Sequence, residues 1–574
     1  MEIFNDLHHP EYIPGTFNIY SSTELESDDY NQSFNDIKRD RSGVVLIPQP
    51  SDSPNDPLNW SKCRKILHFA LMSFITAFTA ATSNGTGAAA DSLHDYYNIT
   101  YDSLNAGAGV LFFGIGWATL IFAPLPSLYG RRLTYFICIF LGLCGALWFA
   151  RTSKTRDVIW SQLFVGISES CAEAHVQLSL TDIFFQHQLG SVLTVYIMSI
   201  SVGTFLGPLI GRYIATLANF RWLGWCAAIM SGALLVWIYF GCEETYFDRH
   251  LYMTPYSKHS IINKSVDELP TSVDEGEDAT SNKDGPITAT GQTISTEKCI
   301  TFDKELINGS KEPLKKYHKR IKLITKATNL KGWGVKQYFR YLGTNLRMFL
   351  FPPVWLSGLF WGIQDVFLSF YLTTQDTYFY DEPWNYSAYS VALMNVPTLA
   401  GAVIGCMYAG VISDVFVLWM ARRNRGILEA EYRLYFSGAA AALGSSGLMM
   451  FGIGAENALP PPVIYVGLGF IGFAWGCSGD IAMAYLMDCY PEMVLEGMAC
   501  TSVINNTLSC VFTFCCSQWL ESFGTKNTYI ILGLINLAIT FLAVPMLIFG
   551  KRIRAWTKDW YTQSVELRES VRRT

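Results

Sequence analysis

Residues 527–550 read NTYIILGLINLAITFLAVPMLIFG, twenty-four positions without a single Asp, Glu, Lys or Arg. About 20 such residues wound as a helix cross the hydrocarbon core of a bilayer. The segment therefore reads as a transmembrane helix, and Lys551, Arg552 and Arg554 mark its exit into water. Eleven comparable runs precede it. They lie near 67–89, 102–126, 131–150, 157–184, 190–216 and 221–243, and then near 347–374, 386–417, 432–453, 461–488 and 495–521. Composition agrees: half of the 574 residues are hydrophobic and only 16% are charged, against about 25% charged in ordinary globular chains. The sequence predicts an all-α membrane protein, with twelve transmembrane helices in two six-helix halves. A net charge of -6 leaves no polybasic surface for nucleic acid.

Polar segments set the domain boundaries. Residues 1–66, rich in Ser, Asp, Asn and Pro, are predicted to form a largely disordered N-terminal tail. The first bundle then covers 67–243, a polar central loop 244–346, the second bundle 347–550, and a short basic tail 551–574. The central loop, with acidic 260–284 and basic 315–326, is expected to be unstructured spacer. Residues 1–15 show no basic stretch followed by an apolar core, so targeting is expected to fall to the first hydrophobic helix. Lys and Arg concentrate on cytosolic loops. Arg131 and Arg132, Arg422 to Arg433, and Lys551 to Arg554 share one face, while loops 90–101, 375–385 and 454–460 hold no Lys or Arg. Loop 151–156 departs from this trend with Arg151, Lys154 and Arg156. The balance places both termini and the central loop in the cytosol. The sequons at Asn98 and Asn385 then face outward as candidate glycosylation sites.

Enzymatic chemistry finds no support. The 14 cysteines lie mostly inside apolar runs with no CxxC, and no nucleotide loop, catalytic triad or metal cluster is visible. The glycines at 107, 109, 114 and 116 sit inside a membrane run as packing surface. No cofactor is expected, and the driving energy must come from ion gradients or membrane potential.

Several motifs are more specific. The fifth run carries Gly203-x-x-x-Gly207-Pro208-x-x-Gly211, where small residues let helix backbones meet and Pro208 interrupts regular hydrogen bonding. Plain helix packing explains the pattern as readily as a transport role. The loop after the second run reads Pro126-Ser127-Leu128-Tyr129-Gly130-Arg131-Arg132, and the loop after the eighth keeps Gly410-x-x-x-Asp414. These segments resemble the antiporter motif and gating loops of the fungal twelve-span drug:proton antiporter group of the major facilitator superfamily. Arg212 stands where that group has a second glycine, Ser127 replaces the loop acid, and Gln162 replaces a proton-linked arginine. Asp56-Pro57-Leu58-Asn59-Trp60 and Glu243-Glu244-Thr245-Tyr246 resemble fungal members of that superfamily, and the runs from Tyr12 to Tyr20, Gly166 to Ala174 and Phe473 to Asp480 resemble its yeast polyamine transporters more closely. The resemblance implies uptake of spermidine, putrescine and related cations such as histidinol across the plasma membrane by a single chain.

Acids inside the membrane support a cationic substrate independently. Glu169 and Glu173 lie four residues apart on one face of the fourth run, with Gln162 and Gln177 in line. Asp365 sits in the seventh run beside Trp361, and Asp480 in the tenth beyond Trp475. An acid at a helix centre costs roughly 3 kcal/mol against lipid, so all four must face the bundle interior. No Lys or Arg lies deep enough to neutralise them, so substrate or protons must supply the positive charge. A polyamine needs separated acids for its ammonium groups and aromatic faces along its methylenes. Candidate site residues are Glu173, Asp365, Glu169, Asp480, Trp361, Phe367, Tyr371, Trp475 and Asn506. Glu169 is the expected proton carrier, and Gly203, Gly207, Pro208, Gly211, Gly130, Arg131 and Asp414 the expected gating elements. An exporter of the same superfamily and a polyamine-sensing receptor are the alternatives.

Overall fold

Hydrocarbon offers the backbone no hydrogen-bond partners, so apolar spans must satisfy themselves as helices. The computed structural model describes residues 12–18, 38, 46, 48–249, 252 and 312–573. The acidic stretch 260–284 lies outside these residues. In the first half, spans 1, 2 and 3 are Lys62–Gly85, Tyr101–Phe122 and Arg131–Ala150. Span 4 covers 155–183, span 5 Gln186–Leu217 and span 6 Phe220–Gly241. In the second half, spans 7 to 10 are Pro352–Tyr378, Ala388–Arg423, Ser437–Glu456 and Pro461–Cys489. One continuous stretch, Pro491–Trp556, supplies spans 11 and 12.

Among the described residues, nine helical stretches are long and apolar enough to cross a membrane, or ten if one bent pair forms a single span. Two causes separate this number from the twelve expected. Pro491–Trp556 holds 66 residues and turns at Gly524, whose φ of 75° and ψ of 161° no helix contains, so it crosses twice. Span 4 carries charge at both ends and two acids within, which lowers its hydropathy. The bent pair corrects a boundary: span 7 begins at Pro352, and Val335–Leu350 meets it at 83° as a separate helix.

Small residues bring the helices together. A Cβ added at Gly203 or Gly207 would collide with the carbonyls of Ala77 or Ala81, so spans 1 and 5 meet backbone to backbone. In the second half, Gly472 and Gly476 sit against the carbonyls of Thr398 and Ala402 in the same way, joining spans 8 and 10. The halves meet where span 2 packs along span 11 and span 5 along span 8.

The described parts of two segments expected to be disordered are docked, a correction with a physical reason. Asp56 is fully buried because Leu58 N, Ser51 N and the Ser51 hydroxyl donate to its carboxylate and Arg249 pairs with it. Residues 16–18 form a strand antiparallel to Ile427–Glu429. Arg554 at the end of span 12 donates a bidentate fork to Glu431 at 2.8 and 2.5 Å and also reaches the Pro14 carbonyl. Residues 312–346 of the central loop are ordered too: Thr325 N and Ala327 N donate to the Tyr129 and Leu128 carbonyls. The C-terminal tail continues as helix Lys558–Arg573 against Val335–Arg347. Residues 12–18 and the helix Lys558–Arg573 therefore lie at one end of the bundle, here the terminal face.

The Arg554 fork has a measurable consequence. Removing one partner of a buried pair costs about 3–5 kcal/mol, so Glu431→Gln should clearly lower the unfolding midpoint of the purified protein. Glu429→Gln, whose partner Lys551 is exposed, should cost under about 1 kcal/mol. Equal midpoints for the two variants would contradict this account.

Candidate functional site

Span 4 is not a uniform helix. Thr155–Ser170 and Val176–Ile183 are α-helical, and Cys171–His175 between them forms a π turn. A π turn closes on the fifth residue, which frees carbonyls from the regular ladder. Neighbouring hydroxyls take them up: Tyr196 donates to Ala172 O at 2.5 Å, Tyr135 to His175 O at 2.7 Å and Thr119 to Ser170 O at 3.3 Å. Glu173 lies inside this turn, rotated from the place an unbroken α-helix would give it. The four-residue alignment expected from sequence is therefore modified at the acid it concerns.

Glu169, Glu173 and Asp365 are brought within electrostatic range of one another. Glu169 and Asp365 are 9% and 8% exposed, and among the described residues none of the three forms an ion pair. Trp475 Nε1 donates to Asp365 Oδ1 at 3.1 Å. The Trp475 ring lies 5.4 Å from Trp361 and 5.6 Å from Phe205, which joins spans 5, 7 and 10 around the acid. Asn505 on span 11 is 1% exposed and its side chain lies against Asp365. The chemistry assembled is three carboxylates, an aromatic wall and an amide, with no basic group among the described residues paired to the acids.

A polar contact between the halves lies on each side of this centre. Toward the terminal face, Gln177 Nε2 reaches Met483 Sδ across the halves at 3.0 Å. Toward the opposite face, Arg212 reaches Asp376 at 2.5 Å.

Other expected site residues fall elsewhere. Asp480 is 2% exposed beside Gly410 and Thr194, and the charges acting on it are Arg433 and Asp414 rather than the acidic trio. Tyr371 donates to Asn395 at 3.0 Å and stacks edge-on with Phe451, inside the second half. Phe367 is buried in the core. Asn506 donates to Ser502 O and presses on Gly116, so it serves the crossing of spans 2 and 11. Sequence reasoning chose Asn506 where the structure places Asn505 beside the acid. The polar stripe Ser502, Asn505, Ser509, at helical spacing, was the signal that could have found it. Phe205 and Tyr196 had no such signal.

The motif residues lie at identifiable contacts. Gly203, Gly207 and Gly211 line the crossing with span 1, and Pro208 lies inside span 5. Gly130 has φ of 92° with no room for a Cβ beside Glu244, and Arg131 Nε donates to Asp182 at 3.1 Å. Arg433 joins Asp414 at 2.7 Å and also pairs with Asp488.

Two helical halves around an acidic centre form the architecture of a secondary transporter. Residues 70–511 match the model of the Major Facilitator Superfamily, and the chain belongs to that superfamily as a multi-pass membrane transporter. It is 63% identical over 588 aligned residues to Protein HOL1 of Saccharomyces cerevisiae, with 100% of each chain covered. It is 43% identical over 557 residues to an uncharacterized MFS-type transporter of Schizosaccharomyces pombe, covering 96% of this chain and 94% of that one. Among solved structures, the proton:xylose symporter XylE shares the fold at a TM-score of 0.55 and 12% identity, covering 85% and 96% of the two chains.

Proposed function

We propose that this transporter imports polyamines such as spermidine and putrescine, with related organic cations, across the plasma membrane by alternating access coupled to protons. The observation that carries the reading is a trio of carboxylates, Glu169 and Asp365 buried and Glu173 half-buried, with no basic partner among the described residues, walled by Trp361 and Trp475. Glu173 and Asp365 meet separate ammonium groups, the tryptophan faces cover the methylenes between them, and Glu169 exchanges the coupling proton. Uptake of labelled spermidine into cells lacking their own polyamine uptake tests the reading. Concentrative accumulation supports it. Faster loss of preloaded spermidine would instead favour an exporter, the direction suggested by the glycine pattern around Pro208.

The proposed orientation has the terminal face in the cytosol and the exposed Asn98 and Asn385 outside. Tags at either terminus should become accessible to antibody only after permeabilisation, and Asn98→Gln with Asn385→Gln should remove any glycan shift on a gel. Surface labelling of a terminal tag on intact cells would reverse the orientation.

A further inference from the structure

The end of the bundle away from the termini holds an ion triad that the transport site does not use. Arg212 lies in the last turns of span 5, its side chain 7% exposed. One guanidinium nitrogen donates to Asp91 Oδ2 at 2.6 Å and the other to Asp376 Oδ1 at 2.5 Å. Asp91 belongs to the short helix Ala90–Tyr97 that follows span 1, and Asp376 to the last turn of span 7. One arm of the triad therefore stays within the first half, while the other ties the two halves together. The Tyr101 hydroxyl donates to Asp91 Oδ1 at 3.2 Å, which leaves that arm held from two sides. The Tyr380 ring lies 5.7 Å from the guanidinium carbon, close enough for cation–π attraction. Two carboxylates share one cation, so the triad is net negative. Asp376 is eleven residues beyond Asp365 on the same helix, about three turns or roughly 16 Å from the acidic trio.

We propose that Arg212 and Asp376 form the gate on this face, and that Asp376 is the first station for an ammonium group of an incoming organic cation, which Arg212 occupies while the site is empty. The identity of the cation rests on the polyamine reading, whereas the gate rests on the ion-pair geometry alone. Guanidinium and ammonium compete for the same carboxylate oxygens. Opening the halves without a substitute cation leaves Asp376 uncompensated in a desolvated place, which is costly. An arriving ammonium removes that cost. The Asp91 arm retains Arg212 on its own half once the bridge is broken. A neutral solute offers no such exchange, so opening is tied to positive charge before the solute reaches the trio. A linear polycation can hold Asp376 with one end while its other end moves toward Asp365.

Two measurements on the full-length protein in vesicles test the proposal. In the first, Ser83→Cys places a thiol beside Glu169, and labelling by a membrane-impermeant maleimide is followed by mass spectrometry of that peptide. Arg212→Gln and Asp376→Asn should each speed labelling about tenfold, because either change removes the bridge and shifts the population toward the open form. Asp95→Asn, an exposed neighbour outside the triad, should label like the parent. In the second, spermidine uptake kinetics should move in opposite directions. Arg212→Gln lowers KM by vacating the station, and Asp376→Asn raises it by destroying the station. Unchanged labelling in both variants overturns the gate. A shift of KM in the same direction for both overturns the station, since a purely structural role has no reason to change sign. Absence of spermidine uptake in the unaltered protein overturns the polyamine reading, and faster labelling in the two variants still supports the gate in that case.

Discussion

Asp365→Asn is expected to weaken spermidine uptake at least about thirtyfold at matched surface expression, since losing one partner of a desolvated charge pair costs about 2–5 kcal/mol and 1.4 kcal/mol is tenfold. The substitution is chosen to isolate charge. Asn has nearly the same shape, and its side-chain oxygen can still accept from Trp475 Nε1, which donates to Asp365 at 3.1 Å. The wall of Trp361, Trp475 and Phe205 should therefore stay in place while the anion disappears. Glu173→Gln should behave similarly, because Glu173 occupies the π turn whose freed carbonyls are already bound by Tyr135, Tyr196 and Thr119. If the two acids hold separate ammonium groups, a diamine that spans both should lose affinity in either variant. A monoamine should depend on one variant more than the other. Asp274→Asn in the central loop should leave uptake unchanged. Ordinary kinetics in both site variants would remove these carboxylates from the binding site and leave the trio as a packing feature.

The two-half helical architecture was visible in the sequence because hydropathy alone encodes it: each apolar run must become a helix wherever lipid surrounds it. Residues 527–550 needed no other information. Span 4 was also visible, through acids that could not face lipid, although the π turn was not. Which hydroxyls would collect the freed carbonyls depends on Tyr135 and Tyr196 from other spans, contacts no local pattern contains. Asn505 and Asn506 show the limit at finest grain. Both are polar, adjacent and inside one helix, and a rotation of 100° decides which faces Asp365 and which faces Gly116. Asp480 shows the limit in depth: its burial was anticipated, but whether it joined the trio or the Arg433 side depended on how spans 8 and 10 cross. The described parts of the N-terminal tail and the central loop were misjudged for a related reason. Their composition is that of disorder, yet Asp56 and Glu431 each meet an arginine from a distant segment, Arg249 and Arg554, and those pairings dock the chain.

Glu169→Gln is expected to separate binding from energy coupling, retaining spermidine binding while losing the response of uptake to an imposed pH gradient. Glu169 differs from the other two acids in its surroundings. Asp365 is held by Trp475, while Glu173 sits in the π turn near Ser502 on span 11. Glu169 lies beside Ser83 of span 1, toward the gate face, with the other two acids as its charged neighbours. Gln162, one heptad earlier, is bonded to Thr86 and carries no charge that could fix the state of Glu169. A proton on Glu169 relieves repulsion within the trio without removing either carboxylate proposed to meet an ammonium group. Its release on the opposite side restores the starting charge, so one proton can move with each cycle. The test uses vesicles at a clamped membrane potential, with and without an imposed pH gradient. In the unaltered protein the gradient should raise the initial rate several-fold, and in Glu169→Gln the two rates should coincide while spermidine still protects the purified variant against thermal unfolding. Identical rates in the unaltered protein would mean that potential alone drives the cation. A gradient response that survives in Glu169→Gln would move the proton to another acid, and Glu173 would be the first to replace in turn.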